Sequence, residues 1–299
     1  MACRFEITLD GKDARYIPAA QSALNQIDAI EAQLTVFRET SALVHINQRA
    51  ASENVRCEPG LFNLLTRCQQ LATLTNGAFD ITSTPLSRCW GFVRREGRMP
   101  STEEIRSTRA LVGMSKVILD HQRSSVKFRR PGIELNLGAI GKGYALDCVA
   151  SDLRRAGVQH ALLSAGQSSL LAIGGRERGW SIDLVSPRRA QRIARVWLRN
   201  AAIGTSGSGE QFFLADGRRY GHVLDPRSGR PAEGVLSASA VCASAADADA
   251  LSTAFLVAGP TLAHRYCDQH SQTLAVITQE DDSAGTFVIG NHIGAEIER

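Results

Sequence analysis

Between residues 161 and 242 the chain passes through seven short strand-like runs, at 161–164, 170–173, 180–185, 194–199, 201–204, 212–214 and 235–242, with turns between them. Strands that follow one another as meanders, rather than in strict alternation with helices, place a chain in the α+β class. Helical spacing appears outside this run. Ala23, Ile27, Ile30 and Leu34 recur on one side of 18–37, and Leu61, Leu64, Leu65, Cys68 and Leu71 on one side of 60–75, where Asn76-Gly77 supplies the left-handed stop. Further helices are expected at 144–155, 245–258 and 260–270, and one starting at Ser101-Thr102-Glu103-Glu104. Strands are expected at 5–9, 116–120, 125–128, 273–278 and 286–289, with strand-like residues at 134–137 leading into a glycine cluster. The architecture expected is antiparallel or mixed sheets with packed helices, in one domain spanning residues 1–299.

Composition narrows the function classes. Hydrophobic residues make up 43% of 299, enough for a sizeable core. A net charge of +4 with no basic stripe is far from a nucleic-acid footprint, and no stretch is long and apolar enough for membrane insertion. Arg188, Arg189, Arg192, Arg195 and Arg199 alternate loosely with apolar residues and read as a solvated strand or hairpin face. The seven cysteines are scattered and form no Cys-x-x-Cys pair, which favours a reducing compartment over a disulfide framework or a zinc site. The N-terminal MACRFEITLDG reads as a strand entering the fold directly, so a cytoplasmic location is expected.

Chemistry is expected in the segment 203–231, where a Gly/Ser turn, the lone His222 and Asp225-Pro226 stand between strand-like runs. A histidine of near-neutral pKa suits a general base, with Asp225 placed either to orient it or merely to cap the turn that follows. Asp249 and Thr253 are four apart in a helical stretch and so share a face. A carboxylate and a hydroxyl together suit a hard cation such as Mg2+, or serve only the helix start and the core. The cluster Gly138-Ala139-Ile140-Gly141-Lys142-Gly143 opens a helix, where backbone N–H groups can receive phosphate or the glycines can simply allow a tight turn. Its spacing is neither a dinucleotide fingerprint nor a P-loop.

Taken together, an ordered series of segments resembles the ApbE family, the FAD:protein FMN transferases. Gly77-Ala78-Phe79-Asp80 through Pro85-Leu86 and Trp90-Gly91-Phe92 resembles its G-A-F-D-x-T-x-x-P-L-x-x-x-W-G-F block. Residues 137–147 match L-G-x-x-[AG]-K-G-Y-A-x-D, Thr205-Ser206-Gly207 the T-S-G turn, 222–231 the H-x-x-D-P-x-[ST]-G-x-P block, and 248–259 A-D-A-L-x-T-A-x-x-x-x-G. Residues 1–7 resemble the opening strand, and 37–47 the Ser-rich loop that ends in Asn.

The resemblance implies an ApbE-like, T-fold-related flavin-binding fold. It implies that FAD is a substrate whose FMN moiety passes to a Thr or Ser hydroxyl of an acceptor flavoprotein carrying a flavinylation motif, with release of AMP and support from Mg2+. Asp249, Thr253 and the Gly141 carbonyl map to the metal ligands. His222, with Asp225, maps to the catalytic base, and Asn47, Phe79, Asp80, Lys142, Thr205, Ser206 and Gly207 to the FAD-holding positions. The chain departs from the family pattern at Gly166-Gln167-Ser168, where an acid commonly follows Gly-Gly, at Asn136, where Asp is common, and in the loop 41–46. FAD hydrolysis to FMN and AMP, or FAD binding without turnover, are the competing readings.

Overall fold

The computed structural model describes residues 3–186, 188, 191–209, 211–281 and 285–298. Met1 and Ala2 of the expected opening strand, and Arg189 of the basic stretch, lie outside the described residues. Seven α-helices occur among the described residues: α1 (Ile17–Leu34), α2 (Ala42–Arg49), α3 (Pro59–Leu74), α4 (Thr84–Cys89), α5 (Thr102–Arg109), α6 (Gly141–Ala156) and α7 (Ala245–Gln269). Contacts divide the chain into two compact units, Met1–Glu31 with Ala139–Gly207 and Gly234–Arg299, and Ala32–Gly138 with Ser208–Glu233. The mixture of helices and antiparallel sheets bears out the α+β class.

The first unit is built on a seven-stranded sheet whose spatial order is its chain order: Phe5–Leu9, Ala161–Ala165, Ser169–Ile173, Ala202–Gly207, Val235–Cys242, Leu274–Gln279 and Thr286–Gly290. All its pairings are antiparallel, as a meander requires. A second antiparallel sheet orders Ala295–Glu298, Arg192–Leu198 and Trp180–Val185. In its middle strand Ala194, Val196 and Leu198 are buried while Arg195 faces out to pair with Asp183, so Arg192 and Arg195 of the basic stretch lie on a solvated strand face.

Two glycines decide how closely α7 seats. A Cβ on Gly143 of α6 would stand 2.0 Å from the Ala245 carbonyl oxygen, and one on Gly204 would stand 2.5 Å from the Ala248 carbonyl. Bare backbone is therefore required on both sides of the first turns of α7. Asp147 of α6 completes the seating, accepting from Ser244 Oγ at 2.7 Å, Ala245 N at 2.8 Å and Ala246 N at 2.9 Å. These bonds satisfy N–H groups that a helix start leaves without intrahelical partners. Farther along, Gly259 (φ 68, ψ −165) breaks the helix ahead of Pro260, which accounts for the two separate helical patterns in the sequence.

The second unit holds α2 to α5, a three-stranded sheet of Val55–Arg56, Ser125–Phe128 and Val117–Asp120, and two small antiparallel pairs. One pair is the hairpin Phe212–Ala215 with Arg218–Gly221, closed by Asp216 and Gly217 at φ 50 and 70, as a type I′ turn demands. Leu86, Trp90, Phe92, Ile105, Val112 and Leu224 form a core against which Phe213 and Tyr220 of the hairpin pack. The Trp90 indole donates to the Gly229 carbonyl at 2.8 Å.

Helices α2 and α4 were not expected. The segment 37–47, expected as a Ser-rich loop, turns helical because Ser41 caps it, accepting from Val44 N at 3.0 Å, and because Leu43 and Ile46 are buried. Helices of eight and six residues carry too few turns for periodicity to register. The expected strand at 134–137 is absent from the sheets, and the Leu135 backbone is satisfied by a side chain instead.

Candidate functional site

The first unit gathers most of the residues singled out by the sequence. Asp249 and Thr253 stand one turn apart on α7, as their spacing predicts. Asp249 is buried, with 5% exposure, and its oxygens accept from Gly143 N at 2.7 Å and from Ser169 Oγ. Thr253 Oγ1 lies 3.3 Å from the Asp249 carbonyl oxygen and 3.1 Å from Ser206 Oγ, which also meets Ser252 Oγ at 2.9 Å. Thr205 is fixed alongside, its Oγ1 2.8 Å from Ser239 Oγ and its N–H donating to the Ser168 carbonyl at 2.7 Å. Gly207 ends the same strand, with only the Leu236 carbonyl oxygen, at 3.7 Å, near the place of a Cβ. Gly141 is the buried first residue of α6, and Lys142 beside it donates to Ser168 Oγ at 2.6 Å.

Burial dominates the electrostatics. It pushes the Asp249 carboxyl up from 3.8 to about 6, against the Lys142 charge, the Ser169 hydroxyl and the Gly143 N–H, which pull it down. The hydrogen bonds that hold this buried carboxylate come from neutral donors, Ser169 Oγ and Gly143 N–H, and a bound cation would favour its charged form. Among the described residues no group of three or more His, Cys, Asp or Glu side chains is placed to hold a metal. The Asp249 carboxylate and the Thr253 hydroxyl, one turn apart, are hard oxygens of the kind that fits Mg2+ keeping waters or phosphate oxygens for its remaining positions.

In the second unit, the expected ligand-binding residues Phe79, Asp80 and Asn47 are buried or hydrogen-bonded within the fold. The Phe79 ring is buried, with 1% exposure. Asp80 accepts from Thr82 N at 2.8 Å, Thr82 Oγ1 at 2.6 Å and Met114 N at 2.9 Å, so its carboxylate ties two loops. Asn47 pairs its amide with the Leu135 backbone, donating to the carbonyl at 2.9 Å and accepting from the N–H at 2.8 Å. Asn47→Ala is accordingly expected to lower the unfolding free energy by about 2 kcal/mol, because Leu135 loses both partners. Urea denaturation measures that loss, and an FAD affinity within about twofold of wild type would separate this tie from a ligand contact.

The alternatives left open for Asp225 come down on the turn. Arg227 grips both of its oxygens, Nε at 2.8 Å and Nη2 at 2.9 Å, and the Arg227 N–H adds a bond at 2.9 Å. The His222 ring turns to another partner, its Nδ1 lying 3.1 Å from the Gln211 carbonyl oxygen. A carbonyl only accepts, so Nδ1 carries the hydrogen and the lone pair of the neutral ring sits on Nε2.

Residues that the sequence reading passed over include Ser169, Ser252 and Asp147, while Ser168 stood out only as a departure from pattern. The identity of a lone serine carries no chemical signal, and only the packing of α6 and α7 on the sheet brings these hydroxyls to Lys142, Asp249 and Ser206.

The chain matches the model of the ApbE family over residues 1–278. It is 27% identical over 297 residues to an FAD:protein FMN transferase of Escherichia coli (strain K12), covering 96% of this chain and 85% of that protein. It is 31% identical over 275 residues to an FAD:protein FMN transferase of Klebsiella pneumoniae (strain 342), covering 91% and 82%. The fold superimposes on the crystal structure of the ApbE protein from Thermotoga maritima with a TM-score of 0.85 at 29% identity, covering 96% of this chain and 93% of that one. The apo flavinyl transferase ApbE of Pseudomonas stutzeri gives 0.80 at 27%, covering 97% and 94%.

Proposed function

Since the chain belongs to the ApbE family, we propose that it is an enzyme that transfers FMN from FAD to a Ser or Thr hydroxyl of an acceptor protein and releases AMP, with residues 1–299 acting as one functional domain. The observation that carries this reading is the buried Asp249 carboxylate beside Thr253, with the Lys142 ammonium near it. In the reaction the acceptor hydroxyl oxygen forms a bond to the FMN-side phosphorus, the bond from that phosphorus to the bridging oxygen breaks, and AMP departs with the electron pair. His222 Nε2 takes the hydroxyl proton, oriented by the bond from Nδ1 to Gln211. Lys142 would meet a phosphate oxygen, and Asp249, Thr253 and the Gly141 carbonyl would hold Mg2+, which would offset the negative charge of the pyrophosphate.

All seven cysteines lie outside any disulfide, and no described helix is long and apolar enough to cross a membrane. We assign the activity to the cytoplasm on the cysteine usage.

His222→Ala is expected to lower the transfer rate by about 10²- to 10⁴-fold with FAD affinity retained. The assay incubates the full chain with FAD and Mg2+, with and without an acceptor bearing a Ser/Thr flavinylation motif, and follows AMP, free FMN and covalent flavin. Covalent flavin matched by AMP supports the transferase. FMN and AMP without covalent flavin would sink it in favour of FAD hydrolysis, and unchanged bound FAD in favour of a binding protein.

A further inference from the structure

Two adjacent residues hold the two charges of this site on their hydroxyls. Ser168 Oγ accepts from Lys142 Nζ at 2.6 Å, and Ser169 Oγ donates to Asp249 Oδ1. Their backbone is set independently of those contacts. The Ser168 carbonyl accepts from Thr205 N at 2.7 Å, Gly166 and Gln167 before it are left-handed at φ 60 and 61, and Ser169 begins a strand, pairing with Ala165 and Gly204.

Lys142 lies near enough to Asp249 for its charge to act on the carboxyl, yet the two do not meet as an ion pair. A buried carboxylate beside an ammonium gains by closing on it once desolvated, and a neutral hydroxyl holds each of them instead. We propose that Ser168 and Ser169 are positioning residues that keep Lys142 and Asp249 apart as two open charges, the carboxylate available to a divalent cation and the ammonium to a phosphate of the nucleotide. This rests on the metal and nucleotide reading above. An ammonium closed on Asp249 would compete with the cation for the same oxygens, and its own charge would be spent before a phosphate arrived.

Isothermal titration of Mg2+ alone into the full chain tests it, with wild type, S168A, S168T and the double variant S168A/K142M, each checked for an unchanged melting transition. S168A is expected to release the ammonium onto Asp249 and weaken Mg2+ binding by about tenfold. S168T keeps a hydroxyl and is expected to bind as wild type. The double variant removes the competing ammonium and is expected to return to within about twofold of wild type, a rescue that a merely packing role for Ser168 would not produce. Wild-type affinity in S168A, or a double variant that stays weak, overturns the proposal while leaving the metal reading intact. A wild type that takes up no Mg2+ overturns both.

Discussion

Asp249→Asn is expected to abolish Mg2+-dependent flavin transfer, by about 10³-fold or more, while leaving the metal-free protein at least as stable as wild type at neutral pH. The substitution removes the only carboxylate among the proposed ligands, and a neutral amide oxygen is a poor replacement for a hard dication. Its effect on stability has the opposite sign because of burial. The Asp249 carboxyl sits at about 6 in the folded chain against an ordinary 3.8, so the folded state favours the proton. Below about pH 4 the group is protonated in both states, and stability is then lost as pH rises between about 4 and 6, where the unfolded chain ionises first. Above about pH 6 the full cost is present, on the order of 3 kcal/mol at about 1.4 kcal/mol per tenfold.

Asparagine carries no such cost, and it can accept from Gly143 N–H while its amide donates to Ser169 Oγ. Melting curves at pH 5 and pH 7.5, with and without Mg2+, check the pattern. The metal-free variant should exceed wild type by more at pH 7.5 than at pH 5, and Mg2+ should raise the transition of wild type alone. A variant that melts far below wild type without metal would mean that the carboxylate is a structural tie rather than a strained ligand.

Gly143→Ala is expected to cost about 3 kcal/mol or more of stability, among the largest effects of a single methyl group in this chain. The new Cβ would lie 2.0 Å from the Ala245 carbonyl oxygen, 2.3 Å from its carbon and 2.6 Å from Ala246 N, and these backbone atoms cannot rotate away as a side chain would. Either α6 or the start of α7 must shift, and the Gly143 N–H would then move off Asp249 Oδ2 from its 2.7 Å bond. Stability and Mg2+ binding should therefore fall together. Gly11→Ala serves as the control, because nothing lies within 4 Å of its Cβ position, and is expected to stay within about 0.5 kcal/mol of wild type. Denaturant titration of both variants measures the difference, and a Gly143→Ala chain as stable as Gly11→Ala would refute the close seating of α7.

Periodic and local signals were legible without a structure. The strands Trp180–Val185 and Val235–Cys242 and the cap of α5 by Ser101 all lie where alternation and capping residues place them, since each depends on neighbours a few residues away. The shared face of Asp249 and Thr253 was legible for the same reason. The partners that Asp80 and Asn47 find within the fold were not legible, because a side chain tied to distant backbone looks the same in sequence as one that meets a ligand. What distinguishes them is the identity of the partner: the Leu135 backbone for Asn47 and Met114 N for Asp80, 88 and 34 residues away.

The sequence by itself determined the α+β class, the family, and which residues carry oxygen and nitrogen donors suited to Mg2+ and phosphate, because those follow from side-chain chemistry and short-range spacing. Only the tertiary structure decided that Asp249 is buried against neutral hydrogen-bond donors, that Asp225 belongs to Arg227 rather than to His222, and that Ser168 and Ser169 hold the charges of the site. The first and third of these depend on antiparallel pairing, which brings Ser169 across from Gly204 and seats α7 on bare glycine backbone. Desolvation and hydrogen-bond competition are properties of atoms brought together by that pairing, and one residue's identity contains neither.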